Sequence, residues 1–198
     1  MKKLIIALLV VMLSLGLSGL VYAADQTVEG NVTATISITA PAAISSYTLA
    51  ASASPASGEN VEKTGTADAL DANDLKVISN TPYHIQINCD TPTYGTAGYM
   101  NKHTGTDYAT PAVTLTDPFY WAVNLQEGTT STTTSTFTQI STTASTIADI
   151  DDTATDDDGY LTEIKYSQPV HFSDPVLSGT NKYRIVVTFT AVADSATG

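Results

Sequence analysis

Carboxylates are the most concentrated chemical resource in this chain. Asp149, Asp151, Asp152, Asp156, Asp157 and Asp158 crowd together and end on Gly159. Clustered oxygens suit Ca2+, a hard cation that takes about six to eight of them. The EF-hand register does not close here. With Gly159 at the sixth loop position, Ala154 falls at the first and Lys165 at the twelfth. Asp151, Asp152, Asp156, Asp157 and Asp158 are therefore Ca2+ candidates. The competing and favoured reading is a solvated acidic loop whose repulsion salt screens. No other cofactor is expected. A second stretch, Asp68, Asp71, Asn73 and Asp74, has oxygens at short spacing but no turn glycine.

Catalytic constellations are harder to draw. His84, His103 and His171 have no partner at zinc-ligand spacing, and Cys89 is the only cysteine. No Gly-x-Ser-x-Gly elbow positions a serine nucleophile. Nothing singles out a pair among Glu29, Glu59, Glu62, Glu127 and Glu163 for glycoside hydrolysis. No glycine-rich loop could cradle a phosphate. No catalytic residue is assigned, and the chain is read as a non-enzyme.

Binding chemistry has two leads. Tyr94, Tyr99 and Tyr108 sit in a loop rich in Gly and Pro, and exposed rings near Asp and Asn could stack on sugars. Local packing over the end of the domain is the competing reading. Asn31-Val32-Thr33 is the only glycosylation sequon with an allowed middle residue, which makes Asn31 a modification candidate against an ordinary strand residue. Trp121 is in phase with Val123 and Leu125 and reads as core.

The elements that must position these groups are strands. Even positions Val32, Ala34, Ile36 and Ile38 are apolar and the odd ones between them polar, the period of a half-buried strand ended by Pro41. Further strands are expected at Tyr47/Leu49, Leu75–Ser79, Tyr83–Cys89, Val113/Leu115, Phe119–Leu125, Tyr160–Tyr166, Val170/Phe172 and Tyr183–Ala191. Cys89 alternates in phase with Tyr83, Ile85 and Ile87 and reads as a buried apolar residue; an intermolecular disulfide is the alternative. The threonine-rich stretch from Gly128 to Ile147 reads as an exposed edge strand, with a glycosylated stalk as the alternative. After the leader no segment keeps a helical period for three turns. The fold class is all-β, an antiparallel β-sandwich (Ig-like or jelly-roll-like) of about eight or nine strands.

Residues 1–23 read as an export signal: Lys2 and Lys3, an apolar run from Leu4 to Leu17, and small residues up to Ala23. Residues 24–198 are then one domain, secreted or held at the cell surface, with no membrane span. Losing Lys2 and Lys3 takes the formal charge from −12 to −14. That balance excludes a nucleic-acid partner, which needs a basic face. The expected partners are a cell-envelope component, polysaccharide or a second copy. The first strand is a free end that can pair in its own sheet or complete a neighbour's by β-augmentation, own-sheet pairing being favoured.

Val28–Pro41 (VEGNVTATISITAP), Leu75–Ile87 (LKVISNTPYHIQI) and Tyr183–Ala191 (YRIVVTFTA) resemble secreted prokaryotic β-sandwich proteins of the WxL-like kind. That family carries two Trp-x-Leu motifs; here Trp121-Ala122-Val123 is one altered copy, and there is no second tryptophan. The resemblance implies a surface β-sandwich attached non-covalently to the envelope, acting in adhesion or assembly. A looser likeness, in export and layout only, is to camelysin-type fibre subunits of biofilm matrix.

Overall fold

The computed structural model describes residues 33–64, 74–127, 130–133, 136–150 and 160–194. Residues 34–198 form one compact unit. The leader, Asn31, Asp68, Asp71, Asn73 and the Ca2+ candidates from Asp151 to Asp158 lie outside the described residues.

Every regular element among those described is a strand. They are β1 (Ile36–Thr39), β2 (Val61–Thr64), β3 (Leu75–Ser79), β4 (Tyr83–Cys89), β5 (Asn101–His103) and β6 (Tyr120–Glu127) in the first half. The second half holds β7 (Thr130–Thr133), β8 (Thr138–Gln139), β9 (Ser145–Ile150), β10 (Tyr160–Ser167), β11 (Lys182–Arg184) and β12 (Val187–Ala193). All pairings between these strands are antiparallel, so the fold is the expected all-β sandwich.

The larger sheet is built on β10 and β6, which pair along their whole length with Ile164 opposite Val123 and Tyr166 opposite Trp121. Each has short partners on its outer side. On β10, β3 pairs with Tyr160–Thr162 and β2 with Ile164–Ser167. On β6, β7 pairs with residues 124–127 and β8 with Tyr120 and Trp121. β1 extends the sheet beyond β3. The smaller sheet runs β12-β4-β9, and β11 and β5 make a separate two-stranded ribbon.

Period-two patterning explains which faces meet. Leu75, Val77, Ile164 and Val123 from the larger sheet and Tyr83, Ile85 and Ile87 from β4 are each at most 2% exposed and belong to one apolar cluster. Burying each such side chain contributes about 1.5–3 kcal/mol. Cys89 joins that cluster as a buried free thiol, and burial pushes its pKa up. Trp121 and Val123 face the core as well, which places the altered Trp-x-Leu triplet indoors.

Three expected strands are absent, and the physical reasons differ. Residues 40–51 form no strand: Pro41 has no amide to donate, the Asn60 side chain takes both the amide and the carbonyl of Ala50, and the Tyr47 hydroxyl reaches the carbonyls of Asn60 and, at 3.3 Å, Tyr166. The Val113 carbonyl accepts from the Lys102 amide and the Leu115 amide donates to the Met100 carbonyl, but only a single bridge forms, at Thr114. Near Val170 and Phe172 the ladder shrinks to one bridge between Ser52 and His171, and Phe172 stays 75% exposed. The strand count also exceeds nine: β2 and β5 form where no strand is expected, the threonine-rich stretch contributes β7, β8 and the start of β9, and one alternating run is cut by a change of partner. That run is Lys182–Ala193: it pairs first with β5, then with β4. Asp90 makes the switch. Its amide donates to the Val186 carbonyl at 3.0 Å, and its Oδ1 accepts from the Val186 amide at 3.1 Å.

Candidate functional site

An open cleft of about 1040 Å3 lies between residues 40–49 on one side and residues 182–189 on the other. It exists because β1 stops early. Pro41 cannot donate to a ladder, and the chain from Ala40 to Leu49 leaves the sheet without forming another strand. β1 lies beside β12, yet the two share no hydrogen-bonded ladder. Each has a strand partner on one side only among the described strands. The sandwich is therefore unsealed along one seam.

Aromatic rings line the cleft, Phe119 and Tyr166 on its floor and Tyr47 on its wall. Phe119 stacks on Tyr166 at 5.4 Å and meets Tyr47 edge-on at 6.5 Å. Burial raises the pKa of both phenols, and the charge of Glu62 adds to the rise at Tyr47. The walls include Ile44, Leu49, Ile185, Val187 and Phe189, all partly buried against the core. Behind the 40–49 wall Asn60, at φ +46°, anchors the end of that segment. Its side-chain amide pairs with both the N–H and the C=O of Ala50 at 2.9 Å and also donates to the Gln168 carbonyl.

One rim of the cleft is cationic. Lys182 and Arg184 lie two residues apart on β11 with exposed side chains, and both line the cleft. Lys102 sits on the paired strand opposite Tyr183. Arg184 approaches His103 Nε2 at 3.0 Å, and the Gly105 amide donates to His103 Nδ1 at 3.1 Å. The ribbon is braced by Asn101, 2% exposed, whose amide bonds Thr96 at both its N–H and C=O, the Tyr99 carbonyl and the Thr114 hydroxyl. Gly95 makes room for that hub: a Cβ there would stand 2.1 Å from Asn101 Oδ1.

The three tyrosines singled out from sequence do not share one environment. Tyr94 is 48% exposed, and Tyr99 is half-buried. Tyr108 turns inward, donates to Asp90 Oδ2 at 2.5 Å and packs edge-on against His103, and burial raises its pKa ahead of the Asp90 contact. Asp149 lies opposite His84 on β4, and Asp74 is buried. Each histidine meets a charged partner: His84 with Asp194 at 2.7 Å, His171 with Asp117 at 2.8 Å, and His103 with Arg184. Among the described residues no three His, Cys, Asp or Glu side chains gather as a metal site, and no helix is long and apolar enough to cross a membrane.

Sequence reasoning missed the cleft. Its signal was present in the Pro41-Ala42-Ala43 break and in the low count of cations, of which two fall at Lys182 and Arg184. Comparison with known proteins adds no relative: no family model, no curated protein and no solved structure matches the chain.

Proposed function

We propose that this is an exported, non-enzymatic surface or matrix protein that acts in adhesion or assembly by pairing β-strands between subunits. The observation that carries this reading is the unsealed seam. Two sheet edges, β1 and β12, flank an apolar cleft whose wall residues are only partly covered. At about 1040 Å3 the cleft exceeds the ~300–1,000 Å3 usual for small-molecule sites. Its lining is more apolar than polar, with three rings in it and the polar groups gathered largely at the rim. An added strand supplies both what the edges need, a backbone ladder, and what the walls need, apolar side chains at every second position. A contact that does not close on itself gives linear assemblies.

The export signal and the resemblance to WxL-like surface proteins support the same placement outside the cell. Sugar binding through loop tyrosines is the second reading, and the exposed ring of Tyr94 favours it. Sedimentation velocity and electron microscopy of the chain from Ala24 onward separate the two. Oligomers or fibres that grow with concentration support assembly, and a single monomeric species at all concentrations overturns it. Retention on polysaccharide that falls with Tyr94→Ala would favour the second reading.

A further inference from the structure

The seam asks for a strand that is apolar on one face, and the rim adds a requirement of charge. We infer that the cationic rim formed by Lys182 and Arg184 is a docking surface for the acidic residues of residues 24–32 from a second copy, so that Asp25 and Glu29 select and register the incoming strand. This rests on the strand-pairing reading above.

Charge distribution makes the first argument. Only six lysines and arginines follow Ala23, and three of them, Lys102, Lys182 and Arg184, lie on the β5–β11 ribbon. Lys63 and Lys165 are already committed, both to Glu163 at 3.3 Å. The ribbon cations make no ion pair with a described carboxylate. In a chain of formal charge −12, this rim is a local exception.

The sequence of the occupant makes the second. In Ala24-Asp25-Gln26-Thr27-Val28-Glu29-Gly30-Asn31-Val32, Val28 and Val32 share one strand face, and Asp25 and Glu29 share the other. A strand seated along Ile185–Phe189 with its valines toward the aromatic floor turns its carboxylates to the rim. Lys182 and Arg184 precede that stretch in the same run of chain, within reach of such a strand's end. At ~3.3 Å per residue, Asp25 and Glu29 are about 13 Å apart, so one register brings one carboxylate to the cation pair and a shift by two residues withdraws it.

Chain direction makes the third. At Thr35, one residue before β1, the amide donates to Asn80 Oδ1 at 2.6 Å and the carbonyl accepts from the Asn80 amide, which ties the chain there to the turn after β3. Residue 33, the first described, lies at the end of β1 away from Pro41, whereas Pro41 and the residues after it line the cleft. A second copy meets the geometry without a reversal of the chain.

Binding of a labelled synthetic peptide of residues 24–35 to the chain from Ala24 onward, followed by fluorescence anisotropy, tests the inference. The peptide should bind, and raising salt from about 0.02 M to about 0.5 M should weaken it by about tenfold. Lys182→Glu should weaken it by a similar factor, about tenfold, and a Glu29→Lys peptide should recover binding on that variant. Lys182 has an exposed side chain, so circular dichroism and the melting temperature of the variant should match the parent. Peptide binding indifferent to salt and to Lys182→Glu overturns the charge selection and leaves strand pairing standing. Absence of binding by a chain that stays monomeric overturns both, and a chain that assembles while excluding the peptide overturns this choice of occupant alone.

Discussion

β4 and β12 are hydrogen-bonded neighbours with the same alternating pattern, yet they live in different surroundings. The inward side chains of β4 are Tyr83, Ile85, Ile87 and Cys89, and none is more than 3% exposed. Their partners across the ladder, Ala191, Phe189 and Val187, remain partly exposed. Sequence does not separate the two strands; position does. β4 has β9 on one side and β12 on the other, with the larger sheet packed across its face. β12 ends its sheet at the seam where β1 stops at Thr39. The difference teaches that period-two apolar patterning states which face is meant to be covered, and the topology decides whether this chain covers it alone.

Truncation should split the pair. Ile85→Ala removes atoms from a closed core and should cost about 2–5 kcal/mol of stability, read as a lower urea midpoint. Asn101→Ala should follow at about 2–3 kcal/mol, since it strips four hydrogen bonds from a buried hub, among them those to the Thr96 amide and the Tyr99 carbonyl. Phe189→Ala should cost less than the ~3–5 kcal/mol of a fully buried phenylalanine, because the residue is only partly buried. That smaller cost should rise when the chain is assembled, if a neighbour's strand covers the ring. Equal losses for Ile85→Ala and Phe189→Ala in dilute monomer would erase the distinction between closed core and open seam.

How far the sequence could be read follows the same division. Leu75–Ser79 and Tyr83–Cys89 were legible to the residue, because strict alternation between two sheets leaves one arrangement that buries Leu75, Val77, Ile85 and Ile87 together. Tyr47 and Leu49 show the same spacing, but two apolar residues do not fix a ladder, and the Tyr47 hydroxyl is satisfied by the chain at Asn60 instead. The break of Lys182–Ala193 into two pairings was invisible, since the alternation runs through it. What divides it is Asp90, ninety-six residues away in sequence from Val186. The cleft was hidden for a related reason. It arises from the unequal lengths of β1 and β12, four and seven residues, and no local pattern states the length of a distant partner.

The subtlest contrast lies between the two phenols at the cleft. Tyr166 is 6% exposed on its floor, and Tyr47 is half-buried on its wall; burial holds both pKa values above the ordinary value of about 10. The folded chain then keeps these protons more tightly than the unfolded one. The stability they confer is fully present below about pH 10, and it falls as pH rises beyond that through the raised folded values. Urea midpoints taken upward from about pH 9 should decline past that point, and Tyr166→Phe should flatten the decline. Tyr47→Phe should flatten it less in the monomer, since solvent still reaches that ring. Seating the 24–35 peptide should dry the wall and delay the ionisation of Tyr47, seen in the ultraviolet difference spectrum of tyrosinate, while Tyr166 shifts little because it has little exposure left to lose. A spectrum unchanged by the peptide at saturation would mean that the strand binds elsewhere than the cleft.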